Sequence, residues 1–175
     1  MMQRLLCVSI SCCAMILACG AAWSMTEIYT VHPVGKVVKT PQETVLELFP
    51  GYRDALLGLD GFSHIIILYW FDRNDTPEKR ATLRVHPRAD KRNPLTGVFG
   101  TRAPVRPNPI GLTVCKIKRV ESGRIIIDEI DAFDQTPILD IKPYIPAGDA
   151  VPEASVPAWL RDASGRSTHD DTGCE

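Results

Sequence analysis

Residues 65–71 read IIILYWF, and this run is the strongest core signal in the body of the chain. It is β-branched at its start, and the polar residues Asp72, Arg73 and Asn74 follow it. A run of this length is typical of a buried strand, because helices usually need about ten or more residues. The sequence therefore predicts a buried central strand over residues 65–71, with Asp72 and Arg73 emerging at one end of the sheet.

Shorter apolar segments on either side predict further strands, because turn residues separate them. They lie at residues 28–38, 45–48, 82–85 and 138–141, with a hairpin formed by residues 113–120 and 124–130. Residues 50–57 predict a helical turn or two, ended by Gly58. Many short strands and hardly any helix predict a β-barrel or another compact β-rich domain.

The chain length of 175 residues, with 45% hydrophobic and 23% charged residues, is typical of one globular domain. We place the folded domain at residues 25–146. Residues 147–175 are rich in Pro, Ala, Ser and Asp, and we expect a loose tail there.

Residues 1–24 form a separate segment with two interpretations. One positive charge, an uncharged run over 5–22 and small residues before Met25 are typical of a secretory signal. Alternatively, these residues are an extension upstream of a true start at Met25. The first interpretation predicts export to the periplasm and the second a cytoplasmic protein; we expect no membrane span in the folded domain.

The six cysteines predict neither a metal site nor a disulfide framework. Four of them lie within the first nineteen residues, and the other two are Cys115 and Cys174. No C-x-x-C pair has a matching partner elsewhere, so the spacing expected of a zinc site is missing.

The net charge of −1 conceals an uneven distribution. Residues 79–119 contain eleven Lys or Arg and one acid, Asp90, whereas the rest of the chain contains nine basic and twenty acidic residues. Such segregation favours a surface that meets a polyanion, most commonly nucleic acid. The alternative is a set of solvated cations on separate strands that face different ways.

Residues 97–112 read GVFGTRAPVRPNPIGL, which predicts a stiff polar loop. Its three prolines fix φ and remove backbone donors, and its glycines permit close approach to a ligand. Arg102, Arg106 and Asn108 are held on this loop, and arginines in fixed geometry suit a carboxylate or another anion. The alternative is an ordinary surface connection.

Several polar residues lie at predicted strand ends and together can hold a zwitterionic ligand. The sequence has no Gly-rich dinucleotide fingerprint, P-loop or nucleophile elbow, which disfavours the corresponding enzyme classes. The strand-end residues are Asp72, Arg73, Arg102, Arg106, Asn108, Asp131, Asp134, Gln135 and Thr136.

The stretch GVFGTRAPVRPNPIGLT resembles the signature of the TsaA-like family, also called YaeB or TrmO. Three further segments agree with the resemblance: VGKVV at 34–38, GFSH at 61–64 and DQTPILDIKPY at 134–144. The resemblance covers residues 28–146. It implies a mainly β fold, a single-sheeted β-barrel of short strands with few short helices, usually present as a homodimer.

The resemblance also implies an S-adenosylmethionine-dependent tRNA methyltransferase. Members of the family methylate N6 of threonylcarbamoyladenosine next to the anticodon. The cofactor-binding residues that the resemblance implies are Asp72, Arg73, Arg102, Val114, Ala132, Phe133, Asp134 and Gln135.

The chain departs from the family pattern in several places. A Pro-Arg-Gln cofactor segment is shortened, leaving Thr40, Pro41 and Gln42. Asp72 stands where histidine is common, and Gln135 where glycine is usual. The C-terminal portion of longer members is missing, and export would be unusual for a tRNA enzyme.

Given that resemblance, we assign catalytic roles as hypotheses. Arg102 or Arg106 stabilises the charge that develops on the substrate, and Asp134 accepts the N6 proton. The expected phosphate contacts are Arg84, Arg88, Lys91 and Arg92. The alternatives are a non-catalytic nucleic-acid-binding barrel and an exported barrel that binds another small ligand.

Overall fold

The computed structural model describes residues 27–163. The chain divides into two compact units, Met1–Thr30 and Val31–Glu175. Of the first unit, residues 27–30 are described and carry no helix or strand. The predicted signal segment, Cys174 and the end of the predicted tail lie outside the described residues, so the predicted domain boundaries stay predictions.

The second unit contains a closed barrel of six antiparallel strands. In chain order the strands are β1 (Gly35–Lys39), β2 (Thr44–Leu48), β3 (His64–Trp70), β4 (Arg84–Val85), β5 (Thr96–Gly97), β6 (Ile110–Glu121), β7 (Arg124–Ile127) and β8 (Pro137–Pro143). The barrel order is β1-β2-β7-β6-β3-β8, whereas β4 and β5 pair in a separate two-stranded sheet. The predicted single-sheeted, mainly β fold is confirmed.

The helices of the described residues are short. They are α1 (Pro77–Arg80), α2 (Pro146–Asp149) and α3 (Ala158–Ala163), with 3-10 turns at Pro50–Leu56, Leu59–Gly61, Asp72–Asn74, Pro87–Ala89 and Val98–Gly100. Over residues 27–163, no helix has the length and apolar character needed to cross a membrane. The described part of the predicted loose tail includes α2 and α3.

Strand β3 occupies the predicted position, but one face of it is buried rather than both. Ile65, Ile67 and Tyr69 point into the barrel and are buried, whereas the residues between them lie on the outer face and are half-buried. Successive side chains of a strand point to opposite faces. The outer face of β3 therefore keeps partial contact with solvent.

Other strand boundaries differ from the sequence expectation. The first strand begins at Gly35 rather than residue 28, since the chain before it contains Pro33, which has no amide donor. The hairpin is confirmed, with Gly123 at φ +78° in its turn, but β6 begins earlier, directly after Pro109, and β7 ends at Ile127.

A close contact between β3 and β6 explains one glycine of the loop signature. Gly111 pairs with Tyr69, and a Cβ at Gly111 would collide with the Tyr69 ring. Glycine therefore lets this ring lie against the β6 backbone. The contact fixes Tyr69 at the end of the barrel where β3 terminates.

Candidate functional site

A cleft of about 350 Å³ lies at one end of the barrel, and we call it the rim cleft. Its volume is within the range of about 300–1,000 Å³ that is usual for small-molecule sites. The cleft is built from the ends of β1 and β3, the loop before β6 and the segment between β7 and β8. Its lining residues are Lys39, Tyr69, Phe71, Asp72, Arg73, Asn74, Arg102, Pro104, Asp131, Ala132, Phe133 and Thr136.

Tyr69 connects the barrel core to this cleft. Its hydroxyl donates a hydrogen bond of 2.7 Å to the backbone oxygen of Asp131 and lies 3.2 Å from the Thr113 hydroxyl. Burial raises the pKa of Tyr69, so the phenol stays protonated and keeps donating. This bond ties the segment after β7 to the end of β3.

The rim cleft combines cations, carboxylates and aromatic rings. The Arg73 guanidinium lies 4.1 Å from the centroid of the Phe133 ring, a cation–π contact, and Lys39 Nζ donates to the Ile130 oxygen. Asp72 and Asp131 supply the negative charges. A lining that combines aromatic rings with charges of both signs matches a zwitterionic ligand that also has an aromatic part.

The Arg106 side chain is engaged inside its own loop, and its catalytic role stays a prediction. Its Nη2 donates to the backbone oxygens of Val98 at 2.8 Å and Thr101 at 3.1 Å, and its side chain does not line the rim cleft. With the guanidinium engaged inside the loop, Arg106 holds the loop that presents Arg102. The loop is also joined to β3, since Phe71 N donates to the Pro109 oxygen at 2.7 Å.

Asp134 also lies outside the rim-cleft lining. Its Oδ1 accepts a hydrogen bond of 2.9 Å from the backbone N–H of Lys39, and Gln135 Nε2 donates to both carboxylate oxygens. The Lys39 bond, followed by Gln135, lowers the pKa of Asp134. A carboxylate with a lowered pKa is a weaker general base, and the catalytic role of Asp134 stays a prediction.

The backbone conformation of Gln135 explains why glycine is usual at this position in the family. Its φ is +67°, in the left-handed region that glycine adopts at little cost. Its side chain accepts a hydrogen bond of 2.9 Å from Lys36 Nζ. The Gln135 side chain therefore does not line the cleft.

Val114 is not brought to the rim cleft. It pairs with Ile66 on the outer face of the sheet, four residues along β6 from Ile110. At about 3.4 Å per residue, that separation is roughly 14 Å along the strand. Asp72, Arg73, Arg102, Ala132 and Phe133 are thus together in the cleft, whereas Val114, Asp134 and Gln135 are not among its lining residues.

A second, larger cavity of about 1,170 Å³ adjoins the rim cleft, and we call it the loop cavity. Arg102, Pro104 and Asp131 line both spaces. The other residues that line the loop cavity are Val85, His86, Pro87, Arg88, Ala89, Lys91, Phe99, Gly100, Thr101, Ala103, Val105, Val156, Pro157, Trp159 and Leu160.

The four residues expected to contact phosphate are in different environments. Arg88 and Lys91 line the loop cavity. Arg92 forms an ion pair of 2.7 Å with Asp90, which also accepts a bond from the Arg92 Nε. Arg84 lies exposed on β4 and does not line either space. The four cations thus do not all line one cavity, and their phosphate contacts stay predictions.

Sequence reasoning missed several lining residues. Asp131 and Thr136 are among the predicted strand-end residues but have no specific predicted role. Lys39, Tyr69 and Phe71 are not among the predicted site residues. All five lie at or near the end of a strand, at the same rim. Their position relative to a strand end is the signal that finds them, once the strand boundaries are known.

We searched the described part of the chain for clusters of metal ligands and for a reactive cysteine. Over residues 27–163, no group of three or more His, Cys, Asp or Glu could hold a metal ion. Burial, with Asp128 and Glu129 nearby, raises the pKa of Cys115 to about 12, and its thiol donates to the Glu129 oxygen. A thiol in this state is a poor nucleophile.

The fold is a closed antiparallel barrel, and the cleft at its rim carries aromatic rings and charges of both signs. These features are typical of β-barrels that bind a small ligand. Residues 28–150 match the family model described as the tRNA-methyltransferase O N-terminal domain. The chain belongs to this family.

The relatives agree with this assignment. The chain is 49% identical over 115 residues to a probable S-adenosyl-L-methionine-binding protein of Methanocaldococcus jannaschii, a match that covers 66% of this chain and 91% of the relative. It is 42% identical over 109 residues to a tRNA (adenine(37)-N6)-methyltransferase of Mus musculus, covering 62% of this chain and 25% of the relative.

A crystal structure of TrmO from Pseudomonas aeruginosa has a similar fold. Its TM-score with this chain is 0.59 at 32% sequence identity, and the match covers 76% of this chain. The chain spans 62% of the length of that TrmO chain. The barrel topology is therefore shared with solved members of the family.

Proposed function

We propose that this protein is an S-adenosylmethionine-dependent tRNA methyltransferase that acts on N6 of threonylcarbamoyladenosine next to the anticodon. The family membership supports the enzyme class, and the mouse relative is named for N6 methylation of adenine 37. The observation that carries the proposal is that Arg102 and Asp131 line both the rim cleft and the loop cavity.

The rim cleft has the chemistry needed to hold S-adenosylmethionine. Arg73 and Arg102 are suited to its carboxylate, and Asp72 to its ammonium group. Phe71 and Phe133 offer aromatic surface for its adenine. When bound, S-adenosylmethionine supplies an electrophilic methyl group on a sulfonium sulfur.

We assign Arg102 and Asp131 to the acceptor, because both line the rim cleft and the loop cavity. Asp131 accepts the proton that N6 loses as the new N–C bond forms. Arg102 stabilises the negative charge that develops on the neighbouring carbonyl oxygen. The remaining requirement is alignment, which the proline-stiffened loop and the Tyr69 bond provide. Asp131 replaces Asp134 as the candidate base because it lines both spaces.

The function is tested in two steps. Calorimetry with S-adenosylmethionine measures cofactor binding, and mass spectrometry of an anticodon stem-loop RNA measures the gain of one methyl group. We expect methylation of RNA that contains threonylcarbamoyladenosine and none of the matched RNA with unmodified adenosine. A protein that does not bind S-adenosylmethionine contradicts the enzyme class, and equal methylation of both RNAs contradicts the substrate.

A non-catalytic nucleic-acid-binding or small-ligand-binding barrel is not favoured, since the family is one of methyltransferases.

The cellular location stays a prediction, cytoplasmic with a start at Met25 and periplasmic with export by residues 1–24. Sequencing the N-terminus of the protein from its own cell distinguishes the two.

We also propose a homodimer formed through the outer face of β3 and β6. Three apolar pairs lie side by side there, namely Ile66 with Val114, Leu68 with Leu112, and Trp70 with Ile110. The β6 members of these pairs are 38–46% exposed. A contiguous exposed apolar face is typical of an association surface. Sedimentation should report a dimer that Leu112→Lys converts to monomer, and a monomeric wild-type protein would contradict the proposal.

A further inference from the structure

The loop cavity is assembled from three segments that are far apart in the chain. They are residues 85–91, residues 99–105 and residues 156–160, with Asp131 from the barrel rim. The last segment lies beyond residue 150, where the family match ends. One wall of this cavity is therefore a part of the chain that the family assignment does not explain.

That wall and the loop opposite it each contribute an aromatic side chain. Trp159 and Leu160 come from α3, and Phe99 comes from the 3-10 turn Val98–Gly100. Phe99 is 85% exposed, which is unusual for a large apolar side chain in a loop fixed by Arg106. Exposed aromatic rings beside cations are the surfaces on which unstacked nucleic-acid bases pack.

The third segment is held in a strained conformation that faces the cavity. Arg88 and Ala89 have φ values of +60° and +55°, and both line the loop cavity. Two bonds hold this segment, from Asn93 Nδ2 to the Pro87 oxygen at 2.9 Å and between His86 Nδ1 and the Asn93 oxygen at 2.8 Å. Strained backbone of this kind persists where surrounding contacts enforce it, and it is common at ligand sites.

Charge in the cavity has one predominant sign. Arg88, Lys91 and Arg102 line it, and Asp131 is the acidic residue at its junction with the rim cleft. Arg102 lies at the junction as well and offsets the charge of Asp131 there, whereas Arg88 and Lys91 line the loop cavity alone. An anionic group is thus favoured beside Arg88 and Lys91, away from the junction.

We propose that the loop cavity binds the acceptor nucleotide, everted from the RNA, with its base against Phe99 and Trp159. Its anionic group, either the carboxylate of the N6 substituent or a flanking phosphate, lies toward Arg88 and Lys91. This orientation leaves N6 at the junction beside Asp131. The proposal rests on the proposed methyltransferase function and adds α3 to the substrate site.

The experiment compares Phe99→Ala and Trp159→Ala with Phe62→Ala in the full chain. Phe62 is a partly exposed phenylalanine that does not line either space, so it is the matched control. Fluorescence anisotropy measures binding of a labelled anticodon stem-loop RNA, with and without threonylcarbamoyladenosine. Calorimetry measures S-adenosylmethionine binding by the same variants.

We expect Phe99→Ala and Trp159→Ala each to weaken binding of the modified RNA by about tenfold or more, because each removes a stacking surface. Their affinity for S-adenosylmethionine should stay at the wild-type value, and Phe62→Ala should leave both affinities unchanged. Trp159→Phe should restore most of the RNA binding and so separates lost stacking from a disturbed fold. If Arg88 contacts the carboxylate of the N6 substituent, Arg88→Ala should weaken binding of the modified RNA only. If Arg88 contacts a flanking phosphate, Arg88→Ala should weaken binding of both RNAs equally.

If the wild-type protein methylates RNA and both alanine variants bind RNA as Phe62→Ala does, this inference is overturned and the proposed function stands. Loss of S-adenosylmethionine binding in Trp159→Ala and Trp159→Phe alike would also overturn it, since the cavity would then belong to the cofactor. A wild-type protein that binds no S-adenosylmethionine overturns the proposed function and this inference together.

Discussion

The rim cleft and the loop cavity share a border but are built in different ways. The rim cleft is formed at the ends of barrel strands, and Tyr69 joins it to the core by a hydrogen bond to the Asp131 backbone. The loop cavity is formed by loops, a strained turn and the short helix α3. In our proposal, the end of the barrel binds the small cofactor, and the loops and α3 receive the larger substrate.

The largest effect is expected where the two spaces meet. Asp131→Asn should lower the rate of methyl transfer by roughly a hundred- to ten-thousandfold, because it removes the proposed proton acceptor. Binding of S-adenosylmethionine and of RNA should change little. Single-turnover kinetics at saturating concentrations of both measure the rate.

Asp134→Asn is the matched control for that prediction. Because the pKa of Asp134 is lowered in the folded protein, its ionised form favours folding at neutral pH, and this contribution is lost only as the pH falls through the lowered value. Asp134→Asn loses this contribution at neutral pH and should be slightly less stable, but Asp134 does not line either space, so methyl transfer by the folded variant should be unaffected. A loss of rate in Asp134→Asn equal to that in Asp131→Asn would reverse our assignment.

The next effect separates the cleft from the cavity. Phe133→Ala removes the ring on which the Arg73 guanidinium packs, and it should weaken S-adenosylmethionine binding by about tenfold. RNA binding, measured by anisotropy, should remain at the wild-type level. Equal losses of cofactor and RNA affinity would mean that the two spaces form one site.

A smaller effect is expected from the cations. Arg88→Ala and Lys91→Ala, if they contact phosphate, should each weaken RNA binding a few-fold and reduce the slope of log affinity against log salt by about 1. Arg92→Ala should have less effect, because Arg92 does not line the loop cavity. Titrations at several salt concentrations make the comparison, and an effect of Arg92→Ala larger than the other two would contradict it.

The smallest expected effect is a change in stability and comes from Gln135. Gln135→Gly should raise the free energy of unfolding by about 1 kcal/mol, because glycine adopts a φ of +67° without strain. Gln42→Gly, at a position where φ is negative, should instead lower it slightly. Thermal unfolding measures both, and S-adenosylmethionine binding should be unchanged, since Gln135 does not line the cleft.

Much of the barrel was predictable from local pattern. The run at 65–71, the hairpin with Gly123 and the strand at 45–48 all form where turn residues and β-branched runs place them. The start of β1 and the end of β7 were not predictable in the same way. Strand ends depend on which partners supply hydrogen bonds, and those partners come from distant parts of the chain.

The candidate site was predictable in composition and only partly in arrangement. The sequence placed Asp72, Arg73 and Arg102 together, and they do meet in the rim cleft. The sequence indicates Arg106 and Asp134 just as strongly. In the structure, however, the Arg106 side chain binds backbone oxygens of its own loop, and the Asp134 carboxylate binds the Lys39 amide. A charged residue near a strand end can face a ligand or hold the backbone, and its neighbours decide between the two.

The sequence by itself determined the β-rich class, the stiff arginine loop and the family, because these follow from local periodicity, from Gly and Pro chemistry and from a specific order of residues. The tertiary structure alone decided that Asp131 lies between two spaces, that Val114 faces outward and that α3 completes the loop cavity. These are relations between residues far apart in the chain, and barrel closure and loop packing bring such residues together without a local signal.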